Sequence, residues 1–239
     1  MTPLKTLIKR DFNNKAHYYH THSSLQKEIA KDLYCLSKDY LTLDSKIIDL
    51  GSGDGAIISH IPNKFHKNVT LLDNAQAMLD IAKTEFPSCN IMPGDFNDLS
   101  LHKQKYDIIF ANMSLHWSLD IKSSLKQIRQ ILKPNGKIFV SLPSTASFKE
   151  ITKINQHLTT KLKTNPLIDS EDFLDIIIQT KSYIQDFDSL FDLLHHFKLS
   201  GIGYKANNSK PITKADYRYL KQMNDEIKQL SGEIIFIKM

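Results

Sequence analysis

Three of the eight glycines in this 239-residue chain fall within Gly51-Ser52-Gly53-Asp54-Gly55, between a strand-like run, Ile47–Leu50, and a segment of helical pattern. Glycine lets a backbone turn tightly and approach a ligand closely. Residues Gly51 to Ala56 loosely satisfy the dinucleotide fingerprint, and Asp73, 22 residues after Gly51, is spaced to bind a ribose. The spacing alone therefore reads as a nucleoside at a strand–helix turn. Charge narrows the ligand: a pyrophosphate on a helix N-terminus needs donors and cations, whereas Asp49 and Asp54 bracket these glycines and no Lys or Arg follows until Lys64. A cationic, phosphate-free ligand fits better. A plain turn with solvated aspartates, or another nucleotide cofactor, stands as the competing reading.

Other chemistry-bearing residues point less sharply. His17 and His20 stand one helical turn apart with His22 beside them, but no Cys, Asp or Glu completes a tetrahedral set, so no metal is expected. His195 and His196 are adjacent and cannot share a helix face. Cys35 and Cys89 form no CxxC motif and are expected as reduced thiols. Only Arg10, Arg129 and Arg218 are arginines among 31 cations, so a bidentate grip on a carboxylate has few donors. The net charge of +5 is spread along the chain rather than gathered in a basic block, which argues against nucleic acid as a partner.

The elements that must position these residues follow from periodicity. Between residues 46 and 143, continuously apolar runs (Lys46–Leu50, Val69–Asp73, Asn90–Met92, Tyr106–Asn112, Lys137–Leu142) alternate with helical patterns (Gly55–Ile61, Ala75–Phe86, Ile121–Leu132). That rhythm predicts an α/β fold whose mostly parallel sheet is covered on both faces. Lys133-Pro134-Asn135-Gly136 reads as a helix stop and turn. Residues 1–45 are expected as an N-terminal helical cap, 46–143 as the ligand-binding core, 144–186 as a helical lid, and 187–239 as the completion of the sheet, all in one domain. That last part includes an expected strand at Ile202–Ala206 and a final one at Gly232–Lys238, with Tyr217, Leu220 and Ile227 on a helix between them. No apolar run reaches the roughly 18 residues of a membrane span. Charged residues near the start argue against a signal peptide, so a cytoplasmic protein is expected.

At this point the chain resembles the class I S-adenosylmethionine-dependent methyltransferases. The resemblance rests on Ile48-Asp49-Leu50-Gly51-Ser52-Gly53-Asp54-Gly55, Asp73 with Met78-Leu79, Gly94-Asp95-Phe96, Tyr106-Asp107-Ile108-Ile109 leading to Asn112, and Leu132-Lys133-Pro134-Asn135-Gly136. It implies a Rossmann-like, seven-stranded, mostly parallel sheet with an antiparallel last strand. It also implies S-adenosylmethionine as cofactor, held by Asp49, Gly51, Ser52, Gly53, Gly55, Asp73, Asn74, Met78, Asp95, Phe96 and Asn112. S-adenosylmethionine suits the acidic loop, being cationic and free of phosphate.

A second resemblance, over most of the chain, is to the malonyl-[acyl-carrier protein] O-methyltransferases of biotin synthesis. Phe12, Ala16, Tyr19, His22 and Leu25-Gln26, then Asn112 to Trp117, then Asp192-Leu193-Leu194 through Lys198 to Gly201, carry it. His116 departs from it, standing where that family usually has glutamine, and Ser114-Leu115-His116-Trp117 is similar to the complex I assembly-factor relatives that hydroxylate arginine. The implied reaction is methylation of the free carboxylate of a malonyl thioester on acyl-carrier protein or coenzyme A. A carboxylate is already nucleophilic at pH 7, so no general base is required. Tyr19, Trp117, His116 and Arg10 are the expected substrate residues, with Arg10 carried on a mobile cap. Lys149, Lys153, Lys161 and Lys163 are available to an acidic carrier, and a monomer is expected. Methylation of a small free acid, as by the trans-aconitate methyltransferases, and a non-methylating assembly protein are the alternatives.

Overall fold

A computed structural model describes residues 3–99, 102–200 and 211–239. Its centre is a seven-stranded sheet in the order β3-β2-β1-β4-β5-β7-β6. The strands are β1 (Ile47–Leu50), β2 (Val69–Asp73), β3 (Asn90–Pro93), β4 (Tyr106–Asn112), β5 (Leu132–Pro143), β6 (Ile177–Asp186) and β7 (Gln229–Lys238). The first five run parallel, and β7 is antiparallel to both β5 and β6. The order reverses at β1, which lies between β2 and β4. Outside the carboxyl ends of such a pair of strands a crevice opens where ligands bind in open α/β sheets.

Burial on both faces explains the unbroken apolar runs. Ile47, Val69, Leu71, Phe110 and Phe236 pack on one face against helix α2 (Ser24–Ser37), through Ile29 and Leu33, and against α3 (Gln76–Glu85), through Leu79. Ile48, Leu72, Ile109 and Ile237 pack on the other face against Leu125 and Ile128 of α4 (Ile121–Gln130). Each such buried side chain contributes roughly 1.5–3 kcal/mol by leaving water. Asp120 starts α4 by accepting from the Lys122 and Ser123 amides, as an N-cap aspartate should. A third apolar cluster joins α5 (Lys149–His157), α6 (Leu190–Leu199) and α7 (Lys214–Gln222) through Ile154, Leu193, Phe197 and Leu220. Helix α1 (Pro3–His22) lies across α3, with Ala16 packed on Ala75 and Met78.

Several elements differ from the periodicity. The helix expected over Gly55–Ile61 is a series of turns with one short 3₁₀ segment, Ile58–His60, and Pro62, which cannot continue a helix, ends it. Residues 133–136 do not form a separate turn but belong to β5, which pairs Leu132 with Tyr106 before its register shifts. Ile177 and Ile178, expected on a lid helix, begin edge strand β6, which pairs along β7. Ile227 follows α7 rather than lying on it. The strand expected at Ile202–Ala206, and Gly201 with it, lie outside the described residues.

Candidate functional site

The loop after β1 is folded by its own backbone. The Gly51 and Ser52 amides donate to the Leu72 carbonyl at 2.8 and 3.0 Å, hooking the loop over the end of β2. Gly51 has φ +69°, and a Cβ there would come within 2.6 Å of Ser114 Cβ, so only glycine fits. Gly55, at φ +91°, answers a different need: a Cβ there would meet the Phe86 ring at 2.6 Å. It is a packing glycine and does not line the cavity beside it.

That cavity takes in about 810 Å³, counting the solvent space at its open mouth. Its floor is Asp49 with Gly51, Ser52 and Gly53; its sides hold Asp73, Asn74, Met78, Phe96 and Asn112. Asp73 anchors two neighbouring segments, accepting from the Gly53 amide through Oδ2 at 2.9 Å and from the Ala75 amide through Oδ1 at 2.8 Å. Asn112 is clamped between Ser141, which donates to its Oδ1 at 2.9 Å, and the Gln26 carbonyl, to which it donates at 3.2 Å.

Three carboxylates, Asp49, Asp54 and Asp73, converge here. Burial, with repulsion from Asp73 and Asp54, lifts Asp49 well above the usual carboxylate range. Burial also raises Asp73, although amide donors and chiefly that of Ala75 pull the other way. Asp49 Oδ1, Asp54 Oδ1 and the Ser52 hydroxyl are buried without a hydrogen-bond partner. Asp54 Oδ2 meets His20 Nδ1 at 2.9 Å and Lys27 Nζ at 3.9 Å, but buried polar atoms are almost always paired, so Asp49 and Ser52 leave the floor open to a ligand's donors or positive charge.

Helix α1 roofs the cavity with Lys5, Ile8, Phe12 and Tyr19. It is fastened at three points: Lys5 Nζ to Asp95 at 2.9 Å, the Ala77 amide to Asn13 Oδ1 at 3.0 Å, and His20 Nδ1 to Asp54 Oδ2 at 2.9 Å. Burial, and then the charges of Asp54, Asp73 and Asp49, push the Tyr19 phenol up, so it stays a neutral hydrogen-bond donor.

Asp95, expected beside the ligand, is occupied by Lys5 and Asn97 instead, and Asn97 lines the cavity in its place. Burial works against its charge, but the Lys5 and Asn97 hydrogen bonds hold it below the usual carboxylate range. Arg10 is exposed and does not line this cavity, because the roof residues 5, 8, 12 and 19 share one helix face and position 10 falls opposite. Arg129 and Arg218 are exposed as well. Sequence reasoning missed Lys5 and Asn97, neither of which carries a signal in its spacing, and gave no site role to Ser114, although it stands in the Asn112–Trp117 segment. Met113 was missed too, and it has a left-handed backbone at φ 49°.

Residues 48–140 match the family described as methyltransferase domain. The chain is 29% identical to the malonyl-[acyl-carrier protein] O-methyltransferase of Priestia megaterium over 162 residues, 66% of this chain. That match spans 59% of the relative's length, under two thirds of it. It is 27% identical to the protein of the same name from Bacillus anthracis, over 82% of this chain and 80% of that one. The fold is similar to the YcgJ protein of Bacillus subtilis, at TM-score 0.56, 13% identity and coverage of 86% and 96%. It is also similar to a SAM-dependent methyltransferase of Thermotoga maritima, at TM-score 0.53, 16% identity and coverage of 96% and 99%. Residues 48–140 thus match the methyltransferase-domain family, and the sheet that carries them shares the Rossmann-like fold of those solved structures.

Proposed function

We propose that this protein transfers a methyl group from S-adenosylmethionine to the free carboxylate of a malonyl thioester on acyl-carrier protein, early in biotin synthesis. The observation that carries the cofactor half is the acidic floor of the cavity, with Asp49 Oδ1 and Ser52 Oγ buried and unpartnered. An ammonium group and a sulfonium answer both the missing donors and the unbalanced charge. Asp49, Gly51, Ser52 and Gly53 would hold the methionine part, Asp73 and Asn74 the ribose, and Met78 and Phe96 the adenine, with Asn112 beside the reacting end. Bound there, the cofactor supplies a methyl group already activated on sulfur.

The chain's own residues then have three tasks. They hold the acceptor oxygen in line, exclude water, and leave the carboxylate ionised, for which no proton need be moved. Helix α1 serves the second task by roofing the site with Phe12 and Tyr19. The names of the relatives in Priestia megaterium and Bacillus anthracis support the malonyl substrate. Lys149, Lys153, Lys161 and Lys163 are all exposed on or just after α5, where they present positive charge to an acidic carrier. Esterification cancels the terminal charge, which allows the acyl chain into apolar pockets that a carboxylate enters at high cost.

The test is direct. Purified protein should bind S-adenosylhomocysteine and not NAD by calorimetry. With S-adenosylmethionine it should convert malonyl-carrier protein to its methyl ester by mass spectrometry, and its gene should rescue a biotin auxotroph lacking this activity. Methylation of trans-aconitate with no product from malonyl thioesters would replace the substrate and keep the chemistry.

A further inference from the structure

Beside the main cavity lies a smaller one, with room for only a small polar group. The two share Phe12, Tyr19, Met113 and Trp117 in their walls. The inner cavity is closed by residues from four separate segments: Gln26 of α2, His116 just after β4, Asn165 in the segment following α5, and Ser200 at the end of α6. All four side chains are buried. Each carries an atom with no hydrogen-bond partner: Gln26 Oε1, His116 Nδ1, Asn165 Oδ1 and Ser200 Oγ. The orphans are of two kinds: His116 Nδ1 and the Ser200 hydroxyl can donate to an acceptor such as a carboxylate oxygen, whereas Gln26 Oε1 and Asn165 Oδ1 only accept and call for a donor such as water.

Backbone strain marks the same place. Met113 and Phe148 are the two non-glycine residues with positive φ among the described residues, at 49° and 59°, and both line the inner cavity. Such conformations are strained and gather at functional sites.

Among the described residues the lining is also uncharged: no Lys, Arg, Asp or Glu belongs to it. Burial lowers the His116 imidazole to a pKa of about 3, so the ring is neutral at physiological pH. Asn165 Nδ2 donates to His116 Nε2 at 2.9 Å. With the amide so oriented, the one ring proton resides on Nδ1, the atom left without a partner.

We propose that the inner cavity is the acceptor subsite, where the reacting carboxylate is held by neutral donors, the His116 Nδ1–H and the Ser200 hydroxyl, in place of a cation. This rests on reading the site as a carboxyl methyltransferase. In such a transfer a carboxylate lone pair forms the O–CH₃ bond, the electron pair of the breaking C–S bond returns to sulfur, and both formal charges vanish. An arginine would hold the ionised carboxylate more tightly than the transition state, in which that charge is fading, and so would oppose the chemical step. Neutral donors fix the geometry with less of that penalty. The apolar walls, Leu25 and Phe148, suit the short methylene stem next to the carboxylate.

Trp117 is the sole tryptophan of the chain. It lines both cavities, and its ring centroid is 5.3 Å from that of His116, so its emission reports occupancy without turnover. Malonyl-CoA titrated into protein saturated with S-adenosylhomocysteine should change that emission saturably. His116→Ala should raise the malonyl-CoA Kd about tenfold or more while leaving S-adenosylhomocysteine affinity within about twofold by calorimetry. Ser200→Ala should raise it several-fold. His116→Gln, whose amide can donate, should recover most of the affinity, and Arg10→Ala should change nothing. Unchanged malonyl-CoA affinity in both His116→Ala and Ser200→Ala, with S-adenosylhomocysteine still bound, would overturn the subsite. If the wild-type protein binds S-adenosylhomocysteine but takes trans-aconitate in a His116-dependent manner and not malonyl-CoA, the malonyl reading falls and the subsite stands. His116-independent binding of that acid would remove both.

Discussion

His20 Nδ1 lies 2.9 Å from Asp54 Oδ2, so the last turn of helix α1 is tied to the middle of the glycine loop. Lys5, near the other end of the helix, is tied to Asp95. Between these two fastenings, about 22 Å of helix spans the cavity that it roofs. The residues that roof the site and the residues that floor it are thus one mechanical unit.

Loosening one fastening should therefore change exchange more than equilibrium contacts. His20→Ala is expected to raise the S-adenosylhomocysteine Kd by about two- to tenfold, corresponding to one hydrogen bond of roughly 0.5–1.5 kcal/mol. Most of the change should appear in the dissociation rate. Stopped-flow fluorescence through Trp117 measures it. An effect confined to the association rate would mean that the fastening guides encounter and does not retain the ligand.

Asp73→Ala should weaken cofactor binding by roughly 1.5–3 kcal/mol, the scale of hydrogen bonds to a charged acceptor. Because the same carboxylate accepts from the Gly53 and Ala75 amides, the variant should also unfold at lower temperature without ligand. Calorimetry and thermal melting separate the two losses. Lost stability with intact affinity would confine Asp73 to a role in shaping the loop.

Asp49→Asn should move stability and binding in opposite directions. Asp49 is buried beside Asp73 and Asp54 with an orphaned oxygen, and an uncompensated buried charge is costly. Removing it should stabilise the ligand-free protein at pH 7.5 by about 1 kcal/mol or more, in keeping with sites that trade stability for function. The same change should abolish most of the rise in Tm that S-adenosylhomocysteine produces. A variant that is less stable without ligand would show that Asp49 is already compensated within the protein.

The cofactor half of the site was legible because its signals are local. Asp49, Gly51 and Gly53 sit next to one another in sequence, and the strands that carry them are buried on both faces, so they read as unbroken apolar runs. The inner cavity was not legible, since Gln26, His116, Asn165 and Ser200 come from segments that only the tertiary fold brings together. Strand β6 was read as helix for a related reason. As an edge strand it buries Tyr183 while leaving most other positions at least partly exposed, so no period-two pattern announces it. Arg10 was assigned by its nearness to the cap in sequence, which does not say which face of α1 it occupies.

The titration of buried histidines gives the last prediction. Burial lowers His116 to about 3 and His196 to about 4, the latter also through His22 and His195, against about 6.5 in the unfolded chain. Between those values the unfolded state binds protons that the folded state refuses, so this contribution to stability is full above about pH 6.5 and is lost as the pH falls toward 4. Asp49 and Asp73 act with the opposite sign: their folded pKa values are raised, so acidification below those values favours the folded state. The histidine contribution is therefore best isolated by difference. Wild-type protein and His116→Gln should be unfolded in urea at pH 7.5 and again at pH 5. The wild type should lose more stability than the variant on going to pH 5, by up to about 1.4 kcal/mol per pH unit below 6.5 for the one histidine. Equal losses in the two proteins would mean that His116 takes up its proton in the folded state, and the neutral donor assigned to the inner cavity would then be a cation.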